Sequence, residues 1–141
     1  MDKGLVDETF LDAIYEREKV VSTAFGNLVA IPHPITPKTK QTFVAVCTLE
    51  KPITWNETPV QLIFLLCVKK DSQEDLQEMY DLLGRIIDNN ALVQKIVKVK
   101  NYDEFIHIIK EWKTMSFLFL FIWDCFGIMS SNIIDDHGEK L

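Results

Sequence analysis

Cysteine, glycine, proline and basic residues are all scarce in this sequence, and each shortage excludes a class of protein. Its three cysteines, Cys47, Cys67 and Cys125, are odd in number and far apart, so they predict small buried side chains rather than disulfides or a metal or redox site. That usage fits a reducing compartment such as the cytoplasm. Five glycines and five prolines among 141 residues exclude a low-complexity chain. Because 21 acidic residues outnumber 15 basic ones, nothing in the composition suggests the basic face that a nucleic-acid-binding protein shows.

Long apolar segments and cofactor-binding motifs are absent as well. The N-terminal stretch MDKGLVDETF lacks the apolar core of a secretion signal. The stretch MSFLFLFIWDCFGIM, 115–129, is interrupted by Asp124 and is shorter than the roughly 20 residues that a membrane-spanning helix needs. No GxxxxGKS/T, GxGxxG, HxxxH or HExxH pattern occurs, so we expect neither a metal nor another cofactor.

The hydrophobic pattern predicts a single domain with a sheet and helices packed on it. Hydrophobic residues make up 48% of the chain, which is enough for a sizeable core. The first predicted elements, in chain order, are a helix from Asp7 to about Val20, a loop at 22–27 and a strand at 28–31. Interior strands at 42–49 and 60–68 follow, separated by a turn-like segment at 51–59. The chain then forms a helix capped by Ser72, a helix at 90–98 and a helix from Asn101 to about Lys113.

His33 lies between two prolines at the end of an apolar run, in the stretch GNLVAIPHPI, 26–35. A proline fixes its own φ and restricts the residue before it to extended backbone, so the chain around His33 is stiff and presents the ring at a strand end. A lone histidine in such a place is more often structural or merely exposed. We expect that plainer role for His107, in a helix, and for His137, in a polar tail.

Residues close to His33 in the sequence suit the transfer of a phosphoryl group. A neutral imidazole is a nucleophile that accepts and releases such groups. The transferring group needs donors around its oxygens, and an arginine offers a planar fork that matches them. The candidate donors are Arg17, Ser22, Thr23 and the backbone N–H groups near Gly26 and Asn27.

The segment REKVVSTAFGNLVAIPH, 17–33, resembles the active-site segment of the fructose–mannitol class of enzyme IIA domains, which belong to the bacterial sugar phosphotransferase system. Arg-Glu, Ser-Thr, Gly-Asn and Ile-Pro-His stand here in the family order. The resemblance implies a cytoplasmic phosphohistidine carrier whose mixed sheet has helices on its faces. It also implies that His33 accepts a phosphoryl group from the phosphocarrier protein HPr and that Arg17 helps to hold that group. The likeness fades near Lys113.

One departure from the family pattern concerns the residue next to the phosphoryl pocket. Transporter-type members carry a His-Leu step near the start of the following helix, whereas this chain has Asp75-Leu76. An aspartate repels a phosphohistidine where a histidine would donate to it, although Asp75 also suits a capping role. The substitution resembles the regulatory members, which are the enzyme IIA-like domains at the C-terminal end of BglG-type transcriptional antiterminators.

A second departure concerns the start of the chain. The family domain begins with a strand and a helix that would precede MDKGLVDE, so we expect a partial enzyme IIA-like domain at 1–113 and a tail of unknown role at 114–141. Loss of those elements uncovers apolar surface, which the tail or a second copy of the chain would cover. The remaining interpretation of the tail is a non-native C-terminus.

Three functions stay open on the sequence alone. The first is a regulatory module phosphorylated at His33 by HPr. The second is a transport enzyme IIA that passes the phosphoryl group to an enzyme IIB. The third is an interaction domain that binds these partners without being phosphorylated. None of them involves a membrane span or direct binding of nucleic acid.

Overall fold

The structure, a computed structural model, describes residues 4–70 and 76–114. The interpretations of Ser72, Asp75 and the tail at 115–141 therefore fall outside the described residues. The elements are α1 (Thr9–Val20), β1 (Ala24–Gly26), β2 (Leu28–Ala30), β3 (Phe43–Trp55), β4 (Thr58–Cys67), α2 (Gln77–Ile87), α3 (Asn90–Ile96) and α4 (Tyr102–Thr114). No helix within these ranges combines the length and the apolarity needed to cross a membrane.

The described strands form one mixed sheet in the order β1-β2-β4-β3. Strands β2 and β4 are parallel and align Val29 with Leu62, while the two outer pairings are antiparallel. Helices α2, α3 and α4 pack on one face, and α1 packs on the other through Phe10. The α/β fold predicted from the sequence, a mixed sheet with helices on its faces, is confirmed.

The main core lies between the sheet and the three C-terminal helices. Side chains alternate along each strand, so every second residue of β4 points to these helices. Each helix contributes a stripe of apolar residues at helical spacing. The buried members of this core are Val29, Ile31, Val44, Leu62, Phe64, Leu66, Met79, Leu82, Leu83, Ile86, Leu92, Val93, Ile96, Phe105 and Ile109.

Of the helix starts predicted from polar residues, the two that lie in the described ranges have hydrogen bonds to the side chains that predicted them. At α4, Asn101 accepts a hydrogen bond from the Glu104 backbone N–H at 3.0 Å, and Glu104 accepts one from the Asn101 amide at 3.1 Å. At α1, the Asp7 carboxylate accepts hydrogen bonds from the backbone N–H and the hydroxyl of Thr9, at 2.9 and 2.6 Å. These contacts satisfy N–H groups that a helix start leaves without partners.

Strands β3 and β4 form one long hairpin, so the prediction of a turn-like segment at 51–59 was wrong. Asn56 and Glu57 alone make the turn, because Trp55 and Thr58 on either side already pair with each other. Both turn residues have positive φ, 44° and 71°. Tight hairpin turns of this hand match the twist of the strands that they join.

Strand β3 lies at an edge of the described sheet, although its sequence predicted an interior strand. Among the described strands it pairs with β4 alone. It is apolar on both faces because helices cover both: Val44 faces the main core, and Phe43 packs with Phe10 of α1. Pro52 had suggested a turn, but it lies where the β3–β4 register shifts, and an edge strand tolerates a proline there.

Strand β1 lies in the segment 22–27 that was predicted to be a loop, and a tight turn joins it to β2 as a second, shorter hairpin. Its turn residues Asn27 and Leu28 have φ of 50° and 66°, and Gly26 before them has a φ of 86°. The first turn position is an asparagine, as in the other hairpin, since its short polar side chain tolerates left-handed backbone. A β1 of three residues containing a glycine leaves too little pattern to be recognised as a strand.

The unfavourable φ of Glu57 provides a test of the β3–β4 turn. We expect Glu57→Gly to stabilise the protein by about 0.5–1 kcal/mol, because an exposed glutamate at φ 71° carries backbone strain that glycine does not. The free energy of unfolding in urea measures the effect. The control is Glu50→Gly, an exposed position in the body of β3, where we expect a loss of about 0.5–1 kcal/mol. A loss at both positions would contradict the turn geometry.

A pair of leucines tests the position of the core. Leu82 is 1% exposed in the main core, whereas Leu11 on α1 is 49% exposed. We expect Leu82→Ala to lower the free energy of unfolding by about 2–5 kcal/mol, because it leaves a cavity, and Leu11→Ala to lower it by less than about 1 kcal/mol. Urea unfolding of the two variants gives both values. Equal losses would place the core elsewhere.

Candidate functional site

The imidazole ring of His33 is held at both of its nitrogen atoms. Nδ1 lies 2.9 Å from the carbonyl oxygen of Ile31, and Nε2 accepts a hydrogen bond from Nε–H of Arg17 at 3.1 Å. A carbonyl only accepts and a guanidinium only donates, so these partners select the neutral tautomer with its proton on Nδ1. Nε2 is therefore the ring atom that carries a lone pair and is chemically able to act as a nucleophile.

The backbone under His33 is fixed to the sheet. The carbonyl of Pro32 accepts a hydrogen bond from the backbone N–H of Leu66 at 3.0 Å, and the N–H of Ile31 donates to the carbonyl of Thr23 at 2.9 Å. After β2 ends, the chain thus stays bound to β4 and to the residue that precedes β1. His33 follows directly, at the carboxyl end of a central strand, and it is partly exposed.

Arg17 comes from the last turn of α1 and is positioned by the backbone that follows that helix. Its Nη1 donates to the carbonyl of Val21 at 2.8 Å, while its Nε donates to His33. These two bonds occupy two of the five N–H donors of a guanidinium. The other donors have no partner among the described residues and suit the oxygens of an anion.

Glu18 lies next to Arg17 in the chain and joins three parts of the structure. Its carboxylate accepts hydrogen bonds from the backbone N–H of Thr23 at 3.0 Å and from the Thr23 hydroxyl at 2.6 Å. It also accepts from the indole N–H of Trp55 at 2.7 Å and from the side-chain amide of Asn56 at 2.9 Å. The end of α1 is thereby tied to the start of β1 and to the β3–β4 turn.

Two opposing effects act on the pKa of Glu18. Burial raises this pKa, but the hydrogen bonds from Thr23 and Trp55 outweigh burial and hold the pKa below its ordinary value. A carboxylate that accepts several hydrogen bonds is stabilised in its charged form. Glu18 is therefore ionised at neutral pH, and its charge is held by neutral donors.

The candidate donors from the sequence fall into two groups. Ser22 and Thr23 lie where the chain enters β1, and the backbone bond from Ile31 to Thr23 brings them beside the end of β2. Thr23 is 1% exposed and uses its hydroxyl on Glu18, while Ser22 accepts from the backbone N–H of Ala24 at 3.2 Å.

Gly26 and Asn27 lie at the opposite end of the β1–β2 hairpin from His33. Leu28 and His33 are five residue steps apart along extended chain, which corresponds to about 16 Å. The Asn27 amide donates to the carbonyl of Ile87 at 2.7 Å and so satisfies the end of α2. A side chain at Gly26 would meet no atom within 4 Å, so its positive φ, and not close approach of a ligand, explains this glycine.

The remaining histidine and cysteine side chains of the described ranges have plain roles. His107 is exposed on α4 and lies 3.2 Å from Glu111. Cys67 is buried, and burial raises the pKa of its thiol to about 12, so this thiol stays protonated at neutral pH. Cys47 is partly buried, and burial raises its pKa as well. No group of three or more His, Cys, Asp or Glu within these ranges is placed to hold a metal ion.

Three residues of the site escaped the sequence analysis. Glu18 entered only as part of the Arg-Glu step, with no role of its own, and Trp55 and Asn56 only as part of a turn-like segment. The available signal was the Arg-Glu step itself, since a glutamate that merely faces water has no reason to recur in an active-site pattern. The hydrogen bonds from Trp55 and Asn56 to Glu18 depend on the β3–β4 hairpin, which the sequence did not reveal.

Comparison with known proteins identifies the class to which this fold and this site belong. Residues 1–112 match the model of the family described as the phosphoenolpyruvate-dependent sugar phosphotransferase system, EIIA 2. The chain belongs to that family.

Within the matches to individual proteins, two transcription or operon regulators are similar to this chain. The chain is 54% identical over 101 residues to the "Probable licABCH operon regulator" of Bacillus subtilis (strain 168), covering 72% of this chain and 16% of the relative. It is 33% identical over 105 residues to "Transcriptional regulator ManR" of the same strain, covering 74% of this chain and 16% of that protein. The chain thus spans about a sixth of the length of each of these regulators.

A solved structure has the same fold. It is the complex of enzyme IIAMTL with phosphorylated enzyme IIBMTL from Escherichia coli, which matches with a TM-score of 0.64 at 16% identity and covers 78% of each chain. At that identity the likeness concerns the fold alone.

The lowered pKa of Glu18 predicts how stability depends on pH. A group whose pKa is lower in the folded protein stabilises it above the ordinary pKa, here 4.5, and this stabilisation is lost as the pH falls through the lowered value. We expect the difference in free energy of unfolding between the wild type and Glu18→Gln to shrink as the pH falls below about 4.5. Urea unfolding at a series of pH values measures it.

Asp7 provides an internal check on that measurement. The hydrogen bonds from Thr9 lower the pKa of Asp7 too, but Asp7 is present in both proteins and cancels in the difference. A difference that stays constant from neutral to acidic pH would contradict the lowered pKa of Glu18 in the folded protein.

Proposed function

We propose that this chain is a phosphorylatable enzyme IIA-type module of the sugar phosphotransferase system. It accepts a phosphoryl group from phospho-HPr on Nε2 of His33, and its phosphorylation state serves the regulation of carbohydrate-uptake genes in the cytoplasm. The observation that carries the proposal is the pair of contacts at His33, in which the carbonyl of Ile31 accepts a hydrogen bond from Nδ1–H and Arg17 donates one to the lone pair of Nε2.

The transfer follows from these contacts. Nε2 attacks the phosphorus atom while the N–P bond to the donor nitrogen of HPr breaks, and the electron pair of that bond stays with HPr. Arg17 moves its Nε–H from Nε2 to the phosphoryl oxygens, and its free N–H groups join it there. The ring becomes positively charged on phosphorylation, and the hydrogen bond from Nδ1 to Ile31 stabilises that charge.

The surroundings of His33 suit a protein partner. Val21, whose carbonyl accepts from Arg17, and Ile35, two residues after His33, are both exposed. Exposed apolar side chains gathered around a reactive group are typical of a surface that another protein covers. This supports delivery of the phosphoryl group by a protein and not by a small molecule.

The regulatory role is supported by the relatives. Two regulators share 54% and 33% identity with this chain, which corresponds to a small part of each of them. A second candidate function, a transport enzyme IIA that passes the phosphoryl group to an enzyme IIB, is supported by the shared fold of an enzyme IIA solved in complex with phosphorylated enzyme IIB. Both functions use the same chemistry at His33 and differ in the acceptor that follows.

Intact-mass spectrometry tests the phosphoacceptor. After incubation of the full chain with phosphoenolpyruvate, enzyme I and HPr, we expect one added phosphoryl group. His33→Ala should remain unlabelled, because it lacks the nucleophile, while His107→Ala should be labelled like the wild type. We expect Arg17→Ala to be labelled about a hundredfold more slowly, as when one electrostatic donor of a reacting group is removed.

The outcomes separate the candidate functions. Absence of labelling in a folded wild-type chain would overturn the proposal and leave an interaction domain that is not phosphorylated. If labelling occurs, a chase with a purified enzyme IIB decides between the other two. Slow or absent transfer supports the regulatory role, whereas rapid transfer supports transport.

A further inference from the structure

We infer that Glu18 is the positioning residue of this site: its carboxylate fixes both partners of His33, Arg17 on one side and Ile31 on the other. The inference rests on the proposed function for its consequence in phosphoryl transfer, but its structural part concerns the His33–Arg17 contact alone. Glu18 does not touch His33, so it acts through its neighbours.

On the first side Glu18 acts through the peptide chain. Arg17 and Glu18 are adjacent in the last turn of α1, and Arg17 reaches His33 from there with a single Nε–H bond of 3.1 Å. The last turn of a helix frays readily because its carbonyl groups lack helical partners. The bonds from Glu18 to Trp55 and Asn56 hold this turn against the β3–β4 turn.

On the second side Glu18 acts through a chain of hydrogen bonds. Its carboxylate accepts from the backbone N–H and the hydroxyl of Thr23. The carbonyl of Thr23 then accepts from the N–H of Ile31 at 2.9 Å, and the carbonyl of Ile31 lies 2.9 Å from Nδ1 of His33. The carboxylate thus fixes the strand segment that selects the tautomer of the ring.

The choice of partners favours positioning over charge balance. Glu18 forms no ion pair among the described residues, and its donors are an indole, an amide, a hydroxyl and a backbone N–H. Such neutral donors impose direction as well as distance. Glu16 on the same helix is the contrasting case, since it is exposed and pairs with Lys19 on the surface.

Glutamine at position 18 separates geometry from charge. Its side-chain oxygen is able to occupy the place of Oε1, which accepts from Thr23, Trp55 and Asn56. Its amide then faces the Thr23 hydroxyl, which is able to accept as well as donate. A positioning role therefore predicts that Glu18→Gln retains most of the function that Glu18→Ala loses.

The experiment measures two quantities in the full chain. The first is the rate of phosphorylation by phospho-HPr in a single turnover. The second is independent of transfer: the nitrogen-15 shifts of the His33 ring and the Nε–H resonance of Arg17. We expect Glu18→Ala to be phosphorylated at least about tenfold more slowly, since small misplacements of reacting groups cost large factors in rate. Its Arg17 resonance should also lose the shift that contact with His33 causes.

Control variants complete the design. Glu18→Gln should recover the rate to within about threefold of the wild type, and Glu16→Gln should leave both quantities unchanged. Trp55→Phe, which removes the indole N–H donor and keeps an aromatic side chain, should lie between Glu18→Ala and the wild type. If Glu18→Ala does not fold, Trp55→Phe and Glu18→Gln carry the test by the same two readouts.

Two results would overturn the inference. One is a folded Glu18→Ala with wild-type rate and an unchanged Arg17 resonance. The other is equal slowing in Glu18→Ala and Glu18→Gln with the Arg17 resonance unchanged in both. That result would mean that Glu18 acts through its negative charge and not by positioning Arg17. If the wild type itself is not phosphorylated, the proposed function fails, while the resonances of Arg17 and His33 still decide whether Glu18 positions them.

Discussion

The parallel pairing of β2 with β4 is the constraint on which the site depends. Parallel neighbours cannot be joined by a tight turn, and here the connection runs through β3 at the edge of the sheet. Strand β2 is thereby placed in the middle, with β1 on its other side. Pro32 ends the regular strand but its carbonyl still accepts from Leu66. His33 is consequently anchored by sheet hydrogen bonds while its ring stays at the rim, where a second protein is able to reach it.

The helix α1 supplies the other half of the site from the opposite side of the sheet to the main core. It contributes little to the core, since Phe10 is its buried residue, and its C-terminal turn carries both Arg17 and Glu18. A helix with so small a buried face needs polar contacts to hold its end in register. The carboxylate of Glu18 provides them, in a site where a displacement of the arginine by one rotamer would leave His33 without its partner.

Family membership and local geometry support one another here. The family match covers residues 1–112, and the histidine with its arginine lies within it. The likeness to two regulators extends over a small part of their length, and an enzyme IIA solved in complex with its phosphorylated enzyme IIB has the same fold. In the function that we propose, a regulatory module and a transport module use the same chemistry at the histidine, so what lies around the site, and not the reacting atoms, distinguishes them.

The sequence by itself determined the local features of this protein. Helical spacing identified the helices, the Asn101–Glu104 pair identified the start of α4, and the prolines around His33 predicted a stiff strand end, because each of these properties depends on neighbours in the chain. The resemblance of 17–33 to an active-site pattern supplied His33 and Arg17, and the family and the fold were confirmed. The same reasoning failed for the β3–β4 hairpin, where Pro52 and exposed residues hid a strand that only its partner stabilises.

The tertiary structure alone decided which residues meet. Gly26 and Asn27 are near His33 in sequence but lie at the far end of a hairpin, while Trp55 and Asn56 are distant in sequence and reach Glu18 across the sheet. The atom of His33 that faces Arg17 was likewise undetermined until Ile31 and Arg17 were placed on either side of the ring. Contacts of this kind depend on strand order and register, which arise from packing over the whole domain and leave no periodic trace in the sequence.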